Sequence, residues 1–124
     1  MDRHGNVKTC ESMSQWHQSV LDASSQSRIM VVECMVKWCG PCIYMRPHVD
    51  ELSRKFPHLL FLRIDVDQLE PFTMELDIQG YPTFIIMKNG KEIDRLLGAN
   101  KEELQKRVAA LAHQYAGVNK KLSN

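Results

Sequence analysis

The sequence predicts an α/β fold: a mixed sheet covered by helices, with an antiparallel edge. Three observations predict it. Segments of helical periodicity alternate with short strands. Two of those strands are near-continuous apolar runs, the pattern of strands covered on both faces. Finally, Asn89-Gly90 joins two further strands by the strongest two-residue hairpin signal. Runs of strand and helix in this order pack as layers around one core. A chain of 124 residues that is 44% apolar fits one domain, 1–124. Its core is expected over about 7–115, with loose ends.

Taken in order, a first strand around Val7 would make the sheet five-stranded. Met13, Trp16, His17, Val20 and Leu21 then follow the spacing of a one-sided helix. Ser12 and Gln15 form a capping box at its start, and Ser24 to Ser27 end it. Ile29 to Val36 is a buried strand whose one acidic member is Glu33. A second helix begins at Cys39 to Pro41 and reaches about Phe56, turning Met45, Val49, Leu52 and Phe56 to one side, with a kink expected at Pro47. Leu59 to Val66 is another buried strand. Asp67 to Asp77 reads as a short helix with Pro71 in its first turn. Thr83 to Lys88 and Lys91 to Leu97 flank the hairpin. Asn100 and Glu103 cap a last helix that turns Leu104, Val108, Leu111 and Tyr115 inward and that Gly117 should stop.

Composition excludes several classes of function. The formal net charge is +1 with the signs interleaved, so there is no basic stripe for nucleic acid and no polybasic membrane patch. Apolar runs such as Ile29 to Val32 are far too short to span a bilayer. Met1 to Asn6 contains no apolar h-region, so a cytoplasmic protein is expected, and the composition suits a monomer. Four cysteines in such a setting point to catalysis or metal binding rather than to a disulfide framework.

Chemistry concentrates in Trp38-Cys39-Gly40-Pro41-Cys42. At a strand-to-helix junction Cys39 sits where unpaired N–H groups and the helix dipole favour negative charge. That favours its thiolate, the attacking species. Pro41 suits a first turn because its missing N–H has no partner to lose, and Gly40 keeps the approach to the sulfur open. Cys42, three residues on, lies over the same face and one turn deeper. Cys39 is therefore read as the attacking thiol and Cys42 as the resolving one.

These residues resemble the active-site motif of the thioredoxin family without a change. Gly80-Tyr81-Pro82-Thr83 is similar to the family's cis-proline loop, and Pro82 follows Cys42 by forty residues. Lys88-Asn89-Gly90 resembles its hairpin, and Gly98-Ala99-Asn100-Lys101 its lead-in to the last helix. The resemblance runs from about Val7 to Tyr115. It implies a thioredoxin fold: a central mixed five-stranded sheet of order 1-3-2-4-5 flanked by four helices. It implies a groove of Trp38, the two cysteines, Gly80, Tyr81, Pro82 and Gly98, in which an extended peptide of a disulfide-containing client protein bonds the Tyr81 backbone. It also implies a protein-disulfide reductase that cycles through a reversible Cys39–Cys42 disulfide and binds no cofactor. Its electrons would come from NADPH through a separate flavoprotein reductase.

The sequence departs from the family at several points. Glu33 stands where a buried Asp is usual. Burial should raise its pKa, so that it can take the proton of Cys42 as general base. Phe61 is matched to a position where some relatives carry a Lys near that acid, which removes one means of tuning Glu33. Tyr81 is bulkier than the usual Ile or Thr; it is read either as simply lining the groove rim or as narrowing the groove and biasing client choice. Met35 and Val36 are read as repacking.

Other readings carry less. Cys10 and Cys34 are not spaced as a second Cys-x-x-Cys, so no metal is expected; both are read as small buried hydrophobes rather than regulatory thiols. The histidines at 4, 17, 48, 58 and 113 offer no evident base for a Cys–His hydrolase. Asp65 and Asp67 are read as strand-end polarity rather than as cation ligands, and Lys101 to Arg107 as a solvated helix face. A binding module with incidental cysteines would not need both the motif and the proline loop. A disulfide oxidase or isomerase is disfavoured by Pro41, because isomerase-like relatives usually have His there.

Overall fold

The computed structural model describes residues 5–123. The first strand, β1 (Val7–Cys10), leads into α1 (Met13–Ser25), and β2 (Met30–Met35) into α2 (Gly40–Lys55). After β3 (Leu60–Asp65) come a 3-10 turn (Val66–Gln68) and α3 (Glu70–Leu76). The hairpin strands β4 (Thr83–Lys88) and β5 (Lys91–Leu97) precede α4 (Lys101–Ser123). The strands lie in the order β1-β3-β2-β4-β5. β3 is parallel to both β1 and β2, while β4 runs antiparallel to β2 and to β5. At the hairpin, Asn89 and Gly90 both take positive φ, 52° and 76°, the backbone that a tight turn between twisted strands requires.

Because side chains alternate along a strand, the sheet builds two cores. On one face Met30, Val32 and Cys34 of β2 and Leu60, Leu62 and Ile64 of β3 meet Trp16 and Ala23 of α1 and Phe72 of α3. Trp16 and Phe72 pack edge to face, with ring centroids 5.1 Å apart. On the other face Val31, Phe61, Phe84 and Ile86 meet Met45, Val49 and Leu52 of α2 and Leu104, Val108 and Ala112 of α4. Glu33 and Arg63, pairing partners on β2 and β3, share the strand parity of this second face.

Several expectations are corrected. The inner stripe of α1 is Met13, Trp16, Val20 and Ala23; Leu21 is 64% exposed and His17 is exposed as well, so the stripe is narrower than the spacing suggested. The Gln15 side chain accepts from Glu11 N–H rather than closing the box on Ser12. The expected helix from Asp67 to Asp77 is two pieces broken at Leu69, whose backbone leaves the helical region (φ −130°) as its side chain turns into the core. Gly117 does not stop α4, which continues to Ser123. A single glycine costs a helix only about 1 kcal/mol, too little to end one already formed. Residues 1–4 and 124, part of the expected loose ends, lie outside the described residues. Pro47 lies inside α2, as the sequence placed it.

Leu104 fixes α4 to the second core at 1% exposure. Leu104→Ala should lower the unfolding free energy by about 3 kcal/mol, read as a lower urea midpoint at unchanged m.

Candidate active site

The site is built where β2 hands over to α2. Cys39 is the N-cap of α2, with an extended backbone (φ −88°, ψ 111°). Its sulfur accepts the N–H of Cys42 at 3.2 Å, and its carbonyl accepts from Ile43 at 3.1 Å. Gly40 and Pro41 form the first helical positions, where no intrahelical partner is lost. Cys39 and Cys42 are joined in a disulfide, with Cα atoms 5.2 Å apart. Cys39 retains 7% exposure against 3% for Cys42, a smaller difference than a whole helical turn suggested, though of the expected sign. A side chain at Gly40 would meet nothing within 4 Å, so solvent reaches the helix start beside the sulfur.

The surrounding loops carry the other expected residues. The Tyr81–Pro82 peptide is cis. Pro82 is buried, its carbonyl accepts from Gly98 N–H at 2.9 Å, and the Thr83 hydroxyl donates to the Gly80 carbonyl at 2.6 Å. These bonds tie the two glycine-bearing loops together. Gly98 has φ +106°, where a side chain would be strained. Tyr81 packs against the cluster that contains both cysteines. Trp38 is 76% exposed, with its indole N–H bonded to Asp67 Oδ2 at 3.2 Å. Asp67 is itself held through its N–H by the Asp65 carboxylate at 3.1 Å. Ile43 and Leu97 add exposed apolar surface.

Beneath the cysteines lies a cavity of about 430 Å³ lined by Glu33, Met35, Lys37, Cys42, Ile43, Arg46 and Arg63. Glu33 is 1% exposed, and its Oε1 accepts from Arg63 Nε at 2.8 Å. The other end of the same guanidinium donates from Nη2 to Asp50 Oδ1 at 3.0 Å. Burial pushes the Glu33 carboxyl above its usual range. Arg63 opposes that shift, Asp50 adds to it, and Arg46 pulls back further.

Phe61 faces the opposite core layer from Cys34, among α2 and α4 side chains, and is in register with Val31 rather than with Glu33. The cation beside the acid is Arg63, two residues further along β3, so the expected loss of tuning is overturned. Arg63, Asp50 and Asp67 are the site residues that sequence reasoning missed. Arg63 gave a signal like that of Glu33, a charged residue inside an otherwise mostly apolar strand. Asp50 shares a helix face with Cys42 and Arg46 at four-residue steps.

The other two cysteines stand apart. Cys10 and Cys34 are separated by β3, since each is in register with Ile64. Burial pushes both thiols up, away from reactive thiolates. Among the described residues no three His, Cys, Asp or Glu side chains gather as metal ligands.

A cysteine pair at a helix start, closed into a disulfide above a buried carboxyl on a sheet of this order, defines a dithiol–disulfide oxidoreductase. The chain belongs to the thioredoxin family, whose model, described as Thioredoxin, matches residues 7–110. It is 43% identical over 108 residues to a thioredoxin H-type of Picea mariana, covering 87% of this chain and 86% of that one. With thioredoxin H4-2 of Oryza sativa subsp. japonica it shares 44% identity, covering 87% and 82%. Its fold superposes on a wild-type poplar thioredoxin h with a TM-score of 0.83 at 39% identity, covering 86% of this chain and 96% of that one. It is accordingly a protein-disulfide reductase that works by dithiol–disulfide exchange through Cys39 and Cys42. Among the described residues no helix is long and apolar enough to cross a membrane.

The raised Glu33 carboxyl fixes a pH dependence. Unfolded, Glu33 loses its proton near pH ~4.3; folded, it holds that proton to higher pH. Stability therefore falls as pH rises from about 4.3 to the folded value, by about 1.4 kcal/mol per pH unit between them. Urea unfolding of the oxidised protein across this window should show that slope, and Glu33→Gln should lack it.

Proposed function

We propose that Cys39 attacks the client disulfide, Cys42 resolves the mixed disulfide, and Glu33 takes the Cys42 proton. The observation that carries the assignment is the Cys39 sulfur at the N-cap, receiving an amide N–H from the first turn of α2. In the reduced protein that N–H and the helix dipole favour the thiolate. This thiolate attacks one client sulfur, the client S–S bond breaks, and the departing client sulfur takes up a proton. Cys42 then passes its proton toward Glu33 across the cavity that both line. The resulting Cys42 thiolate attacks the Cys39 sulfur. The Cys39–Cys42 bond forms, the second client thiolate leaves, and two electrons have passed to the client.

The client binds extended across Trp38, Tyr81, Pro82, Gly80 and Gly98, with main-chain bonds to Tyr81 and its apolar residues on Trp38, Ile43 and Leu97. Tyr81 narrows the rim and biases which clients enter. The protein works as a cytoplasmic, monomeric electron carrier without bound cofactor. A flavoprotein reductase restores the dithiol with electrons from NADPH. The H-type thioredoxin relatives support this reading.

Cys42→Ser should accumulate client proteins in disulfide linkage to Cys39, visible on non-reducing gels and released by dithiothreitol. Cys39→Ser should capture none, and both variants should lose insulin-reduction turnover. Capture through Cys42 in the Cys39→Ser protein would overturn the assignment. Glu33→Gln should slow release of the mixed disulfide on the order of 10²-fold near neutral pH while leaving Cys39 attack intact, as stopped-flow kinetics with a fluorescent client would resolve. An unchanged release rate would remove Glu33 from the mechanism.

A further inference from the structure

Two buried carboxylates share one buried guanidinium in this protein. Glu33, Asp50 and Arg63 are exposed by only 1%, 5% and 6%. Arg63 is the one buried cation among the described residues, and it spends Nε on Glu33 and Nη2 on Asp50. With both acids ionised the buried cluster would carry a net negative charge, and unpaired buried charge is costly. One site in the cluster is therefore predisposed to hold a proton. Glu33 lines the cavity shared with Cys42, whereas Asp50 is outside that lining. Asp50 is instead anchored from behind. Its backbone carbonyl accepts the Ser53 hydroxyl at 2.6 Å, and Ser53 Oγ in turn accepts the N–H of Asn6 at 2.8 Å.

We propose that Asp50 is a positioning residue for the exchange reaction. By holding one end of the Arg63 guanidinium it keeps Glu33 from being fully neutralised, and so leaves Glu33 able to take and return a proton beside Cys42. Asp50 touches neither sulfur; it acts through Arg63. This rests on the reading of Glu33 as proton acceptor. The charged and titratable groups facing Glu33 are Arg63 from β3, Asp50, Arg46 and Cys42 from α2, and Lys37 from the turn before it. Phe84, its partner across β4, brings no charge. Arg46 and Lys37 are exposed cations in contact with solvent, and water screens them more than it does the buried pair.

The test is a carboxyl-carbon NMR titration of the oxidised protein, in which neither active-site sulfur titrates. Asp50→Asn keeps the size of the side chain and an oxygen for Arg63 but removes the charge. The Glu33 midpoint should then move down by about one pH unit, a tenfold change in proton concentration, because Arg63 serves one carboxylate rather than two. Asp50→Ser should move it in the same direction, which keeps the test available if one variant folds poorly. An unmoved or raised midpoint overturns the proposal. So does a wild-type titration in which the Glu33 midpoint lies within the ordinary carboxylate range, a measurement that needs no variant. In kinetics, Asp50→Asn should move the acid limb of mixed-disulfide release to lower pH, and this shift should vanish in a Glu33→Gln background. The NMR midpoint reads the role of Asp50, whereas Glu33→Gln alone reads the role of Glu33. Failure of one is thus distinct from failure of the other.

Discussion

The central strand β2 has no wet face, and this governs where the chemistry can be. It is flanked by β3 and β4, covered on one side by α1 and α3 and on the other by α2 and α4. Any polar side chain it carries must be satisfied by another buried group or hold a proton. Five of its six residues are apolar, and the sixth, Glu33, meets a guanidinium from the neighbouring strand at the same register position. No buried side-chain polar atom among the described residues lacks a partner, so this polarity is enclosed rather than orphaned. Removing Arg63 alone would strand two carboxylates, whereas replacing the whole cluster with apolar groups need not destabilise the fold. A buried ion pair of this kind contributes little net stability; its consequence is a carboxyl held beside the cavity that Cys42 also lines.

The same strand delivers the sulfur. Leaving the sheet at Met35, the chain needs only a short turn before α2 starts at Gly40, so Cys39 falls on the cap. That position has two consequences. The Cys42 amide of the first turn donates to the Cys39 sulfur, and the helix carries Cys42 into the lining of the cavity it shares with Glu33. The two sulfurs thus have different surroundings, one at the helix start with slightly more exposure and one lining a cavity with a buried acid. The loop from Gly80 to Thr83 closes the other side, bonded to Gly98 rather than to the helix. The surroundings of the cysteines thereby come from three segments far apart in sequence, each adjoining its own strand end.

How much of this was legible in the sequence depends on how local the cause is. The hairpin strands were read to the residue because Asn89-Gly90 fixes the turn, while the register shift between Ile86 and Met87 left no sign in the sequence. The motif from Trp38 to Cys42 and the start of α2 were legible for the same reason. The cap of α1 was half legible: Ser12 receives Gln15 N–H as expected, while Gln15 turns to Glu11. The break at Leu69 was missed because it is made by burial of one leucine, a tertiary cause. Glu33 was found as an acid in an apolar strand, but its partner was sought at Phe61, two residues early. One strand parity holds for both positions, so only the pairing of β2 with β3 separates them, and that register is non-local. Trp38 was recognised from the motif, yet its bond to Asp67 spans 29 positions and no spacing rule reaches it.

The departures from the family pattern make sense together rather than singly. Relative to Asp, Glu at position 33 adds a methylene and carries the carboxyl further from its strand. A lysine on the neighbouring strand would meet it with a single point charge on a flexible stem, able to face one acid well. Arginine presents a planar group of several N–H donors that can serve two carboxylates at once, and here Nε and Nη2 do so. Once that group is fixed by Asp50 from α2, Glu33 has one place to be, despite its extra rotatable bond. The longer acid, the arginine and the helix aspartate are thus one device. Exchanging Glu33 for Asp would shorten the reach to a guanidinium already held at its far end by Asp50, so the pairing distance, rather than the burial, would give way first.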